Sequence, residues 1–323
     1  MGNTKYTYAV ARIRALETSL LTNAVIEQLL ACPTAEQALQ LLIEKGWGDG
    51  AAGNDMDAVL NREEEKTWQV IRDVAPDMSV FDVLSYPKLY HNLKAAIKEV
   101  CTEVRNPHIF YDDCSIPGEE MLKIVESKEF SRLPGNMPGV AQEAFETLLH
   151  TRDGQLCDIM IDKAALEAVR DAGRRSGEPI IDDYADTTVA IADIKIAVRS
   201  QKTGKSSDFM RSAMAECRGV SVEQLIRAAL SGADEIAQYL EGTSYAGGAD
   251  ALKESPSAFE RWCDNRMIET LKPQKYETFS VGPLLGYLIA RKNEIKTVRI
   301  ILTGKQNGFP DDAIRERIRE MYV

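Results

Sequence analysis

The chain has 323 residues, 44% of them apolar and 28% charged, with 50 acidic against 39 basic side chains and a net charge of −11. That composition suits a globular chain with a sizeable core and excludes wholesale disorder. The acidic balance excludes a general binder of nucleic acid or anionic membrane, because attraction to phosphate needs clustered Lys and Arg.

In chain order, Met1 to Tyr8 is polar and lacks the apolar core of a signal peptide. Val10, Ile13, Leu16 and Leu20 recur at spacings of three and four, which predicts an amphipathic helix. Thr34 and Gln37 have the spacing of a capping box at the start of the next helix, and Gly46 ends it. Gly48-x-Gly50-x-x-Gly53 matches a dinucleotide fingerprint by letters. That fingerprint needs a strand before it, whereas here a helix precedes, so a helix stop and connection is the better reading. Helices are predicted over 55–74 and 79–103, with Pro87 a candidate break in the second. Ser115 with Pro117, and Ser255 with Pro256, each place a cap before a proline in the first helical turn. Gly204-Lys205-Ser206 looks like the end of a phosphate loop, but Arg199 stands where that loop needs its first glycine. Val281 to Ala290 is apolar for ten residues, about half of a membrane span. Phe309-Pro310-Asp311-Asp312 opens the last helix with both acids at its positive end. No alternating apolar run bounded by turn signals appears, so the chain reads as nearly all α.

The six cysteines, at 32, 101, 114, 157, 217 and 263, include no Cys-x-x-Cys pair, which argues against a zinc or redox motif. A cytoplasmic setting with reduced thiols is expected. His91, His108 and His150 share no ligand spacing, and Trp47, Trp68 and Trp262 read as packing residues.

Length alone suggests about two domains, but an internal period points elsewhere. Asn92-Leu93-Lys94, Asp193-Ile194-Lys195 and Glu294-Ile295-Lys296 lie 101 residues apart. Leu93 and Ile97 correspond to Ile194 and Val198, an apolar i, i+4 pair that faces a core. The third copy departs, with Arg299 in place of Ile97 and Val298 beside it. Ile71-Arg72-Asp73, Val169-Arg170-Asp171 and Ile268-Glu269-Thr270 form a second landmark in the same order. Any layered helical protein shows some echoes, yet two ordered landmarks favour a triplication into units 1–105, 106–206 and 207–323, with charges of −4, −6 and −1. The third unit ends in Arg315, Arg317 and Arg319. A helical adaptor of the solenoid kind would repeat every 33 to 47 residues instead.

Asp182-Asp183-x-x-Asp186 is the strongest chemical motif. Carboxylates at i and i+4 of a helix can share a magnesium ion that binds a diphosphate, as in all-α isoprenoid synthases. Those enzymes carry a second acidic motif on a facing helix, for which only Asp311-Asp312 is available here. The competing reading is an acidic helix N-terminus favoured by the macrodipole.

The C-terminal region carries a resemblance. Gly282-Pro283-Leu284-Leu285-Gly286-Tyr287-Leu288-Ile289-Ala290, the segment Glu294 to Leu302, Gly304-Lys305-Gln306-Asn307-Gly308 and Ile314 to Arg319 look like the closing part of the C subunits of V-type (A/V-type) ATP synthases. The eukaryotic relatives of that family are the d subunits of vacuolar ATPases. Tyr6 to Leu20 resembles the family's opening helix, and Tyr90-His91-Asn92-Leu93-Lys94 and Asp153 to Lys163 resemble internal segments, with Leu89 departing from an expected aspartate. The resemblance implies an all-α fold of three similar helical bundles around a pseudo-threefold axis, funnel-like and without catalytic residues or cofactor. It also implies a place between central-stalk subunits D and F and the membrane rotor ring, coupling ATP chemistry to proton or sodium transport. Two functions from different classes therefore stand: the rotary coupling subunit, and a magnesium-dependent enzyme using Asp182, Asp183 and Asp186.

Overall fold

The computed structural model describes residues 4–50, 53 and 55–323. Among them the regular elements are all helical. They run α1 (Thr7–Glu17), α2 (Asn23–Ala31), α3 (Ala35–Glu44), α4 (Met56–Val74), α5 (Asp82–Thr102), α6 (Gly118–Ser127), α7 (Met137–Thr151) and α8 (Gly154–Arg175). There follow α9 (Pro179–Thr203), α10 (Ser207–Ala213), α11 (Val222–Ser231), α12 (Ala233–Glu241), α13 (Gly247–Glu254), α14 (Pro256–Leu271), α15 (Gly282–Gln306) and α16 (Asp311–Arg315).

Local chemistry explains most of the starts. Asp55, Ser206 and Ser255 each accept a backbone N–H three residues on, at 2.8, 3.2 and 3.0 Å, which satisfies an orphan donor of α4, α10 and α14. Thr34 Oγ1 accepts the Gln37 N–H at 3.3 Å, the hydroxyl half of a capping box. Three local expectations differ from the structure. Helix α1 stops at Glu17, so the buried Leu20 belongs to the connection after it. Helix α5 runs through Pro87, whose position near the start costs only a single i→i−4 bond. The N-cap of α6 is Pro117 rather than Ser115. Its Gly118 packs so closely on Phe110 that a Cβ there would lie 2.4 Å from the ring.

The chain divides into two compact units, Met1–Met78 with Asp250–Val323, and Ser79–Ala249. In the first, α15 packs against α1, α3, α4 and α14. Its core gathers Leu29, Leu42, Leu60, Val298, Ile301 and Ile314. In the second, α8 lies between α5 and α9, with α7 on it and α11 and α12 against α9. Its core gathers Leu93, Ile97, Met121, Ile124, Phe145 and Ile161, and it takes in Leu89, whose apolar side chain suits a position only 2% exposed. The central helices α9 and α15 are apolar around much of their circumference, which is the pattern of a helix surrounded by others.

Candidate functional site

The long helices α5, α9 and α15 carry the buried polar residues Asn92, Asp193 and Glu294, spaced 101 residues apart and exposed by 0, 0 and 3%. Each uses a side-chain oxygen to accept a backbone N–H from an irregular segment. Asn92 Oδ1 accepts from Tyr111 at 2.9 Å, Asp193 Oδ1 from Ala215 at 3.1 Å, and Glu294 Oε1 from Leu21 at 2.5 Å. A loop amide turned inward needs such a partner, because a buried donor left unpaired costs about 1–3 kcal/mol. The second polar atom differs in each case. Asn92 Nδ2 donates to the carbonyls of Tyr111 and Ile116 at 2.7 and 3.3 Å. Asp193 Oδ2 meets no partner among the described residues, and burial pushes the Asp193 carboxyl up to about 8. Glu294 Oε2 pairs with Arg291 at 2.5 Å.

The flanking residues follow the same outline less strictly. Leu93 and Ile194 are wholly buried, whereas Ile295 is half-buried. Ile97 and Val198 point into cores, but Arg299 is exposed and reaches Asp57 at 2.5 Å while Val298 takes the inward place. Lys94 pairs with Asp162 on α8 at 2.6 Å, and Lys296 with Asp264 on α14 at 2.5 Å. Lys195 is half-buried. Ile71, Val169 and Ile268, the second landmark, are each 0 or 1% exposed, close to the ends of α4, α8 and α14.

A buried ionic centre in the first unit escaped the sequence reading. Arg291 of α15 joins Glu294, one turn on, to Glu63 of α4 and lies 5.0 Å over the ring of Trp47. Glu63 also accepts from the Gly48 N–H and from Lys66, both at 2.8 Å. Gly48 adopts φ of +79°, a conformation that glycine reaches without strain, and this aims its N–H at Glu63. Burial works against the Arg291 charge, but Glu294 and Glu63 outweigh it and hold the guanidinium firmly protonated. The network fixes α4, α15, the turn after α3 and, through Leu21, the connection between α1 and α2. Its sequence signal was the i, i+3 spacing of Arg291 and Glu294. Nothing in Glu63-Glu64-Glu65 marks which acid is buried.

The acidic motif on α9 is engaged by the chain itself. Arg218 contacts Asp182 at 2.7 Å, Asp183 at 3.1 Å and Asp186 at 3.4 Å, and its backbone N–H donates to Asp186 at 2.8 Å. The guanidinium thus stands among the three carboxylates, and the motif forms a clamp that ties the segment after α10 to the start of α9. Among the described residues no group of three His, Cys, Asp or Glu side chains has the arrangement of a metal site. The phosphate-loop letters also have structural roles. Gly204 is the left-handed C-cap of α9, Lys205 donates to Gln155 at 2.8 Å, and Ser206 caps α10. Of the three C-terminal arginines, Arg315 pairs with Glu27 at 2.5 Å, Arg317 lies 5.7 Å over Phe309, and Arg319 is buried against Asp264 at 2.7 Å.

The long helices are thus tied to irregular segments by buried polar anchors, and Arg218 engages the acidic motif. Among the described residues no helix is long and apolar enough to cross a membrane. A family model described as ATP synthase (C/AC39) subunit matches residues 9–317. The chain is 22% identical over 320 residues to the C subunit of the V-type sodium ATPase of Enterococcus hirae, covering 96% of this chain and 97% of that protein. It is 24% identical over 343 residues to the C subunit of the A-type ATP synthase of Methanocaldococcus jannaschii, covering 96% and 85%. The A-type C subunit of Pyrococcus horikoshii is 24% identical over 355 residues, covering 98% and 91%. With nearly its whole length matched, the chain belongs to the ATP synthase (C/AC39) subunit family, the C subunits of V- and A-type rotary ATPases.

Proposed function

We propose that the protein is the non-catalytic coupling piece of a rotary ATPase, seated at the cytoplasmic face between central-stalk subunits D and F and the membrane rotor ring. The observation that carries this reading is the family match across residues 9–317. It is supported by the way the chain spends its charged residues, since the motif best suited to metal chemistry is closed by Arg218. A spacer under torque needs stiffness and two faces. The buried anchors at Asn92, Asp193 and Glu294 supply stiffness by fixing irregular segments to the long helices. Their common role supports a triplicated body with units 1–105, 106–206 and 207–323, arranged as three bundles around a pseudo-threefold axis. The charges of −4, −6 and −1 would give that body a preferred orientation, because complementary charge mainly sets specificity and association rate.

Membranes carrying the rotary complex, reconstituted with and without the protein, test the reading. ATP hydrolysis by the soluble sector is expected to persist without it while ion transport stops. Transport at normal efficiency in its absence would overturn the coupling role. Running the assay in sodium-free and sodium-containing buffer identifies the transported ion.

A further inference from the structure

In the first unit, α15 and α16 border an open groove of about 360 Å³. Lys296, Arg299, Ile300 and Thr303 line it from one face of α15, over two turns or about 10 Å of axis. Helix α16 adds Ile314, which rests so near Gly304 that a Cβ there would lie 2.7 Å from the Ile314 side chain. Phe309, 46% exposed, stands at the rim with the Arg317 guanidinium 5.7 Å over its ring. The walls are therefore apolar side chains and the carbon stems of long cations.

Every charged side chain that lines the groove is a cation, in a chain whose net charge is −11. Lys296 and Arg319 share one carboxylate, Asp264, at 2.5 and 2.7 Å. Arg299 pairs with Asp57 at 2.5 Å, but both are well exposed, and such a surface pair exchanges its partner at little cost. Arg317 makes no ion pair among the described residues. Four cations thus meet two carboxylates, and positive charge is left over at the rim. That surplus repels a basic partner, and a purely polar one leaves Ile300 and Phe309 uncovered. A bilayer is too flat to enter a concave groove, whereas a helix lays one ridge of side chains into a groove of this length.

We propose that this groove receives an acidic amphipathic helix of a partner protein. Two large apolar side chains of that helix, at i and i+4, seat against Ile300, Phe309 and Ile314, and flanking carboxylates meet Arg299 and Arg317. The groove's chemistry is independent of the rotary role.

Fluorescence anisotropy with the full chain tests it. The probe is a labelled, end-capped peptide of about 15 residues, with leucine at i, i+4 and i+7, glutamate beside them and alanine elsewhere. Saturable binding is expected, at least about tenfold tighter than that of a peptide with lysine for glutamate or of one with its leucines scrambled. Arg317→Glu and Phe309→Ala should each weaken binding about tenfold with helical circular dichroism unchanged, and added salt should weaken it further. If Phe309→Ala does not fold, Thr303→Trp, which blocks the groove from an exposed position, takes its place. No saturation by about 1 mM peptide, equal binding of the lysine or scrambled peptide, or full affinity in the folded variants would overturn the proposal. So would self-association of the unliganded chain that Arg317→Glu abolishes, which assigns the groove to a second copy. Co-sedimentation with phosphatidylglycerol vesicles that the same variant abolishes would overturn it too, by assigning the groove to a lipid surface.

Discussion

Asp193 and Asn92 perform one task with different chemical groups, a carboxyl and an amide. Both accept a loop N–H, but Asn92 also donates through Nδ2, whereas Asp193 Oδ2 has no partner among the described residues. Burial raises the Asp193 carboxyl from its ordinary 3.8 to about 8, with Glu216 pushing the same way and the Ala215 amide and Lys163 opposing. The folded state therefore keeps a proton that the unfolded chain loses near pH 4. Its contribution to stability is fully present below that pH, declines as pH rises, and is lost through pH 8, with a slope of at most about 1.4 kcal/mol per pH unit. Urea midpoints measured from pH 5 to 8 should fall more steeply for the native protein than for Asp193→Asn. Equal slopes would show that Asp193 does not hold the proton. At Arg291 the expectation concerns charge balance. Arg291→Met leaves Glu63 and Glu294 buried without their shared cation and should cost about 3–5 kcal/mol in urea unfolding. Adding Glu63→Gln and Glu294→Gln should restore part of that loss, since the penalty lies in unpaired charge.

At the scale of elements, starts were more legible than neighbours. Asp55, Ser206 and Ser255 cap helices through contacts three residues long, so nearby letters suffice to locate them. Pro87 misled because a proline near a helix start costs little, and only packing on both sides of α5 decides that the helix continues. Close helix crossings are less visible still. At Gly173, where α8 meets α9, an added Cβ would lie 2.5 Å from the Ala185 Cβ and 3.2 Å from the Asp182 Cα. Helix backbone cannot yield as a flexible side chain can. Gly173→Ala should therefore cost about 1–3 kcal/mol, read as a lower thermal midpoint, despite alanine's better helix propensity. A rise in midpoint would mean that the helices separate without loss.

For the whole molecule, the motifs that suggest nucleotide or metal chemistry are each engaged by the chain's own structure. Gly48 gives its N–H to Glu63, Gly204 ends α9, and Arg218 neutralises the acids of the Asp182 motif. Calorimetry of the isolated protein with magnesium-ATP should accordingly show no saturable heat, and the same preparation should not hydrolyse ATP. Micromolar binding would require a nucleotide site built from other residues. Family membership extends over residues 9–317, so this expectation applies to the chain as a whole.

The helical character, the acidic balance and the family resemblance could all be read from the sequence alone. They depend on composition, on periods of three and four, and on motifs whose meaning is local. The period near 101 drew attention to Asn92, Asp193 and Glu294 without indicating their task. Tertiary structure decided that task, because Leu21 lies 273 residues from the Glu294 it bonds, and no spacing rule reaches so far. It also decided that Arg218, 36 residues from Asp182, fills the acidic motif. Among the three consecutive acids at 63–65, it buried Glu63 against an arginine 228 residues away. Local letters determine what each segment can form, whereas long-range packing determines which polar groups lose water and must find one another.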